Sequence, residues 1–134
     1  MSVEGLVIRA SRDGSKETLR RLEAALVARG MTVFARVDHA AGAKAAGLEL
    51  RPTDLVIFGS ATAGTPLMAA EQTIGIDLPL KMLVWEDAEG RVFVAYNDPL
   101  WLVRRHGLSH DVDAIAERMR AGLAAIAGEA AGGD

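Results

Sequence analysis

Cysteine is absent from the 134 residues. With it go disulfide frameworks, thiol nucleophiles, thiolate metal sites and Cys-X-X-Cys redox chemistry. No apolar run approaches the roughly 20 residues of a membrane helix, and no basic stretch precedes an apolar one in residues 1–9. Neither a spanning segment nor a signal peptide is therefore read, and a cytoplasmic location follows as the default. Positive charge is not in excess either. The 15 Lys and Arg against 18 Asp and Glu leave a net charge of -3, which gives no general attraction to nucleic acid or anionic lipid. No G-x-G-x-x-G follows the first strand and no Gly-Lys-Ser/Thr follows any glycine turn, so Rossmann and P-loop nucleotide sites are excluded. Internal repeats and low-complexity linkers are also missing.

Half of the residues are hydrophobic and a quarter charged, the composition of a folded globular chain. The length fits one domain, read over 1–127, with a tail of small residues at 128–134 that is expected to fray. Val3 to Ala10 reads as a strand, with Asp13 offered as the cap of a following helix. From Ser15 to Arg29, Leu19, Leu22 and Leu26 recur at helical spacing, and Gly30 stops the helix. Met31 to Asp38 alternates as a half-buried strand. His39 to Ala46 is a short helix, and Leu48 to Arg51 before Pro52 reads as a short edge strand.

The apolar run Leu55 to Phe58 enters a glycine-punctuated turn, Gly59 to Pro66, and a helix is expected to start at Thr65-Pro66. Leu78 to Glu86 and Arg91 to Tyr96 flank a turn and form a β-hairpin. Pro99 to Gly107 is a short helical piece, and Asp111 to Ala127 is a second amphipathic helix. This order predicts an α+β fold, a mostly antiparallel sheet with two long helices packed on it.

The turn collects Gly59, Ser60, Thr62, Gly64 and Thr65 ahead of a helix start, where free N–H groups can hold a small anion. The same residues also suit a tight connection that binds nothing. His39, beside Asp38 at a strand end, is a candidate acid or base; equally, it can simply open the short helix. Lys81 lies in a strand that is apolar on both faces. Its ammonium can meet an anionic ligand or reach out to solvent. Two apolar faces also call for a second cover, most simply in a homodimer. Tyr96 to Pro99 is turn chemistry or a polar rim. His106 and His110 match no metal motif and read as surface histidines, and no cofactor is implied. Three functions stay open: a homodimeric binding or sensing module with a pocket between the turn, His39 and Lys81; a small enzyme using His39; and a structural dimer or partner-binding domain.

Several ordered motifs carry a family resemblance: Val37-Asp38-His39, Gly47 to Thr53, Phe58-Gly59, Gly64 to Met68, Leu78 to Lys81, Val84 to Asp87 and Tyr96 to Pro99. Across nearly the whole chain the sequence resembles the domain-of-unknown-function 302 family. The resemblance implies a small α+β fold of TATA-binding-protein-like arrangement, usually dimeric, with no established reaction. Ser60-Ala61 stand where the family commonly has Asn-Pro, and the segment Glu71 to Gly75 lacks a proline often seen in relatives.

Overall fold

The computed structural model describes residues 2–133. Strand β1 (Leu6–Ala10) leads to helix α1 (Ser15–Ala28), β2 (Thr32–Asp38) and α2 (His39–Ala45). Then come β3 (Thr53–Gly59), α3 (Ala61–Ala70), a 3-10 turn (Gln72–Ile76), β4 (Leu80–Glu86) and β5 (Val92–Asn97). The chain closes with α4 (Pro99–Arg105), a 3-10 turn (His110–Val112) and α5 (Asp113–Ala130). The five strands form one sheet in the order β1-β5-β4-β3-β2, every neighbour antiparallel.

Alternation along the strands decides where the helices go. Val56 and Phe58 of β3, Met82 and Val84 of β4, and Val94 of β5 are fully buried on one face of the sheet. α1 and α5 cover that face with Leu19, Leu22, Leu26, Leu123 and Ile126, which makes the main core. Burying each such side chain contributes about 1.5–3 kcal/mol. The opposite face is apolar too, and it is only partly covered. Leu55, Ile57, Leu83, Trp85 and Phe93 are half-buried there, and Ile8 and Val37 are exposed at 41% and 37%. Trp85 and Phe93 pair across β4 and β5, their ring centroids 5.4 Å apart.

A second, smaller core gathers at one end of the layer. Leu67 of α3, Ile74 of the first 3-10 turn, Leu102 and Val103 of α4, and Val112 and Ala116 near the start of α5 form it. Leu78 and Met119 pack against both cores and join them. The loop before β1 is held to this end as well. Gly5, at φ 76°, lies against Trp101 of α4 so closely that a Cβ would overlap the indole, and its carbonyl accepts from the Asp98 amide at 2.7 Å.

Several expectations need correcting. Asp13 does not cap α1. The cap position is Gly14, and the Asp13 carboxylate pairs with Arg21 instead. Leu48 to Arg51 is not a strand: β2 and β4 already flank β3, the segment joins no ladder, and Leu48 and Leu50 stay exposed. α5 runs on to Ala130, and Ile126, Ala127, Ala130 and Ala131 are buried, so residues 128–131 of the tail expected to fray are packed, while residue 134 lies outside the described residues.

The helix after β3 also begins earlier than Thr65. Ser60, in extended geometry, is its cap residue, and the Ser60 carbonyl accepts from the amides of Ala63 and Gly64 at 3.1 and 3.0 Å. Ala61 and Ala63 are good helix formers, and Leu67 is buried only if the helix forms. These gains outweigh Pro66, which stands inside the helix and leaves the Thr62 carbonyl without its usual amide.

Candidate functional site

The turn expected as a cradle is the wall of a cavity of about 580 Å³. It lies at the seam between the two cores. Residues 59–66 form one wall and Ile115, Met119, Gly122 and Leu123 of α5 the facing one. Phe34 of β2, Met31 just before that strand, Met68 of α3 and Leu78 close the remainder. The space exists because the walls are built from small residues. A Cβ on Gly64 would meet Leu78 and Met68 at 3.7 Å, while one on Gly122 would meet nothing within 4 Å. Arg118 is the one charged residue in the lining among the described residues. At the α3 end, the amides of Ala61 and Thr62 find no backbone acceptor among the described residues, as is usual in a first helical turn. Such a volume is in the range of small-molecule sites, which are mostly apolar with few polar groups.

The sequence-predicted residues divide cleanly. Gly59, Ser60, Thr62, Gly64 and Thr65 line the cavity, whereas His39, Lys81 and Tyr96 do not. His39 is exposed at the start of α2, where Asp38 caps the helix by accepting from the Ala41 amide at 2.9 Å. Lys81 donates to the carbonyls of Pro79 and Asp77 at 2.9 and 3.2 Å, and burial pushes its pKa down against the pull of Asp77. Tyr96 is buried in the main core, and burial, aided by Asp98, raises its pKa. A wider hollow of about 780 Å³ between α2 and residues 48–51 is lined by Asp38, Lys44, Glu49 and Arg51, all exposed. It offers little apolar enclosure.

A family profile described as "Domain of unknown function DUF302" matches residues 7–126. The chain belongs to the DUF302 family. A crystal structure of an uncharacterised conserved DUF302 protein from Bacillus stearothermophilus superposes with a TM-score of 0.84, covering 96% of this chain and 99% of that one. Its sequence identity is 20%, so the likeness speaks for the DUF302 fold alone. Among curated proteins, "Fluoride-specific ion channel FluC 1" of Brucella suis is 48% identical over 128 residues. The same name from Brucella abortus gives 48% over the same length. The match takes in 96% of this chain but 50% and 47% of those relatives, so the chain spans about half their length. Among the described residues, no helix is long and apolar enough to cross a membrane.

The DUF302 fold also builds a polar group that the sequence reading missed. His106 was expected at the surface, yet its side chain is 9% exposed. Its Nε2 lies 2.5 Å from Asp77 Oδ2 and its Nδ1 2.9 Å from Thr73 Oγ1. Because a carboxylate only accepts, Nε2 carries the hydrogen here, and Nδ1 can take the Thr73 hydroxyl proton in its hydrogen bond. Arg105 adds two bonds to Asp77 at 2.9 and 2.7 Å. The group ties α4 to the first 3-10 turn, and none of its members lines the cavity. His110, by contrast, is exposed at 87% and bonds to Asp113 and Arg104. Residues 29 and 33 apart in sequence leave no local pattern from which the Asp77–His106–Thr73 chain could be read.

Burial alone would raise the Asp77 pKa, but the bonds from His106 and Arg105 outweigh it and hold the carboxyl below its ordinary 3.8. A lowered carboxyl pKa stabilises the fold above the unfolded-state value, and that contribution is lost as pH falls through the folded-state value. Asp77→Asn should therefore cost roughly 1–3 kcal/mol at neutral pH. Urea titrations should show the deficit shrinking below about pH 4. A deficit that stays constant into strong acid would contradict this assignment.

Proposed function

We propose that this chain is a binding module that takes a small, largely apolar ligand into the cavity between α3 and α5. One observation carries the reading: a cavity of about 580 Å³ at the junction of two cores, walled by Gly59, Ala61, Ala63, Gly64 and Gly122 where bulkier residues would have filled it. Covering apolar wall with a ligand gains about 25 cal/mol per Å² removed from water. Among the described residues the lining holds no acid–base pair, which favours binding over catalysis there. Decan-1-ol is a suitable probe. It should raise the midpoint of thermal unfolding of the parent chain and leave that of Gly122→Trp unmoved, because the indole would occupy the free space beside Gly122. Equal stabilisation of both proteins would rule out this cavity as the site.

The module is further proposed to pair with a second copy through the outer face of the sheet. Support comes from the half-buried Trp85, Phe93 and Leu83 on that face, an apolar surface of the sort that oligomers cover. Sedimentation velocity should give a dimer for the parent chain and a monomer for Trp85→Glu with unchanged circular dichroism. A parent chain that stays monomeric at high concentration removes the pairing.

The Brucella relatives support a second reading, in which the module works beside a membrane protein. Their printed names describe fluoride-specific ion channels, and the matched region is about half of each. On this reading the chain is an accessory domain whose ligand state adjusts a neighbouring channel. Fluoride efflux from liposomes holding such a relative should change when its matched half is deleted. Identical efflux with and without that half would dismiss the accessory role.

A further inference from the structure

We infer that the cavity's ligand is an apolar body ending in a single carboxylate, of the alkanoate type, whose head is held by Arg118. The inference rests on the reading of the cavity as a ligand site and names the chemistry of its occupant. Three observations carry it. Among the described residues the lining contains one ionisable side chain, Arg118, and no acid to neutralise it. Among the described residues Arg118 makes no hydrogen bond or ion pair, although Arg120 and Arg104 do. Arg120 of the same helix reaches Asp98 at 3.7 Å and Glu117 at 3.9 Å, and Arg104 pairs with Asp113 at 2.5 Å. The positions three and four residues away along α5 are Ala114, Ile115, Ala121 and Gly122, so no carboxylate shares its helical face.

Two of those neighbours, Ile115 and Gly122, are cavity wall. An arginine stem lies well along such a surface while its guanidinium stays at the water boundary. The guanidinium fork matches a carboxylate with two parallel hydrogen bonds. A ligand with an apolar tail against the methionines and leucines and one carboxylate at this fork would satisfy both halves of the site. A neutral ligand would leave the guanidinium to water and gain nothing from it. A cationic one would meet it with repulsion.

The test compares decanoate with decan-1-ol at submicellar concentration near neutral pH, by calorimetric titration of the parent chain, Arg118→Ala and Gly122→Trp. The parent should bind decanoate about tenfold more tightly than the alcohol, the size of one partly exposed charge-assisted pair. Arg118→Ala should lose that preference and bind the two probes about equally; as an exposed residue, Arg118 can be truncated without disturbing the core. Equal affinities in the parent, or a preference that survives in Arg118→Ala, would overturn the carboxylate assignment and leave the cavity reading intact. Failure of both probes to bind, or binding that persists in Gly122→Trp, would bring down the cavity reading and this inference together.

Discussion

Everything in this molecule follows from one face of the sheet having to be hidden. Val56 and Phe58, Met82 and Val84, and Val94 stand in adjacent strands in register, so their burial is a single event that needs α1 and α5 laid side by side across them. Register is strict for that reason, since a slip by one residue would turn every one of these side chains outward. α5 is long enough to go further than this duty. Its C-terminal half seals the main core through Leu123, Ile126 and Ala130, while Ala116 near its start belongs to the second core with α3 and α4. One helix therefore serves two apolar clusters, and Leu78 and Met119 bridge them.

The cavity is what is left where these clusters meet. Close packing is the rule in protein interiors, and a void between two cores persists only when the residues facing it are too small to fill it. α3 supplies Ala61, Ala63 and Gly64, and α5 supplies Gly122 opposite. Pro66 weakens α3 in mid-course, yet Leu67 anchors the helix in the second core, so the wall keeps its place. Three methionines, Met31, Met68 and Met119, complete the lining with side chains that adapt to what they touch. The polar group of Asp77, His106 and Thr73 braces α4 against the 3-10 turn from outside the cavity, holding that end of the fold without entering the site.

Period and punctuation made much of the fold legible. The leucines of α1 and the acidic turn between β4 and β5 each produced the element observed, and together they led to an antiparallel α+β sheet; the alternation of β2 gave a strand, but one at the sheet edge with all seven residues exposed rather than half-buried. Local chemistry misled where two signals competed. Thr65-Pro66 has the form of a helix start, but Ser60 offers a cap five residues earlier and the burial of Leu67 favours the longer helix. Leu48 to Arg51 looks like an edge strand on composition, yet the place beside β3 is taken by β2 and the segment itself joins no ladder. The small residues of the tail hide a packing role that depends on α1. Of the cavity lining, the glycine turn was singled out in the sequence and Arg118 was not. Arg118 sits among the charges of an amphipathic helix, and nothing short of the fold distinguishes it from an ion-paired neighbour such as Arg120.

DUF302 membership supplies the fold and no reaction, and the Brucella channel proteins share sequence with this chain over about half their length. What the molecule offers chemically is a cavity of small-residue walls, three methionine methyls and one unpaired arginine. The methyls give the most direct test. In a carbon-13 methyl spectrum recorded during titration with decan-1-ol, the resonances of Met31, Met68 and Met119 should move together, while Met82, fully buried beneath α1 and α5 and absent from the lining, should stay in place. Methyl shifts confined to Met82, or no shift in any of the three lining methionines, would contradict the cavity as the binding site.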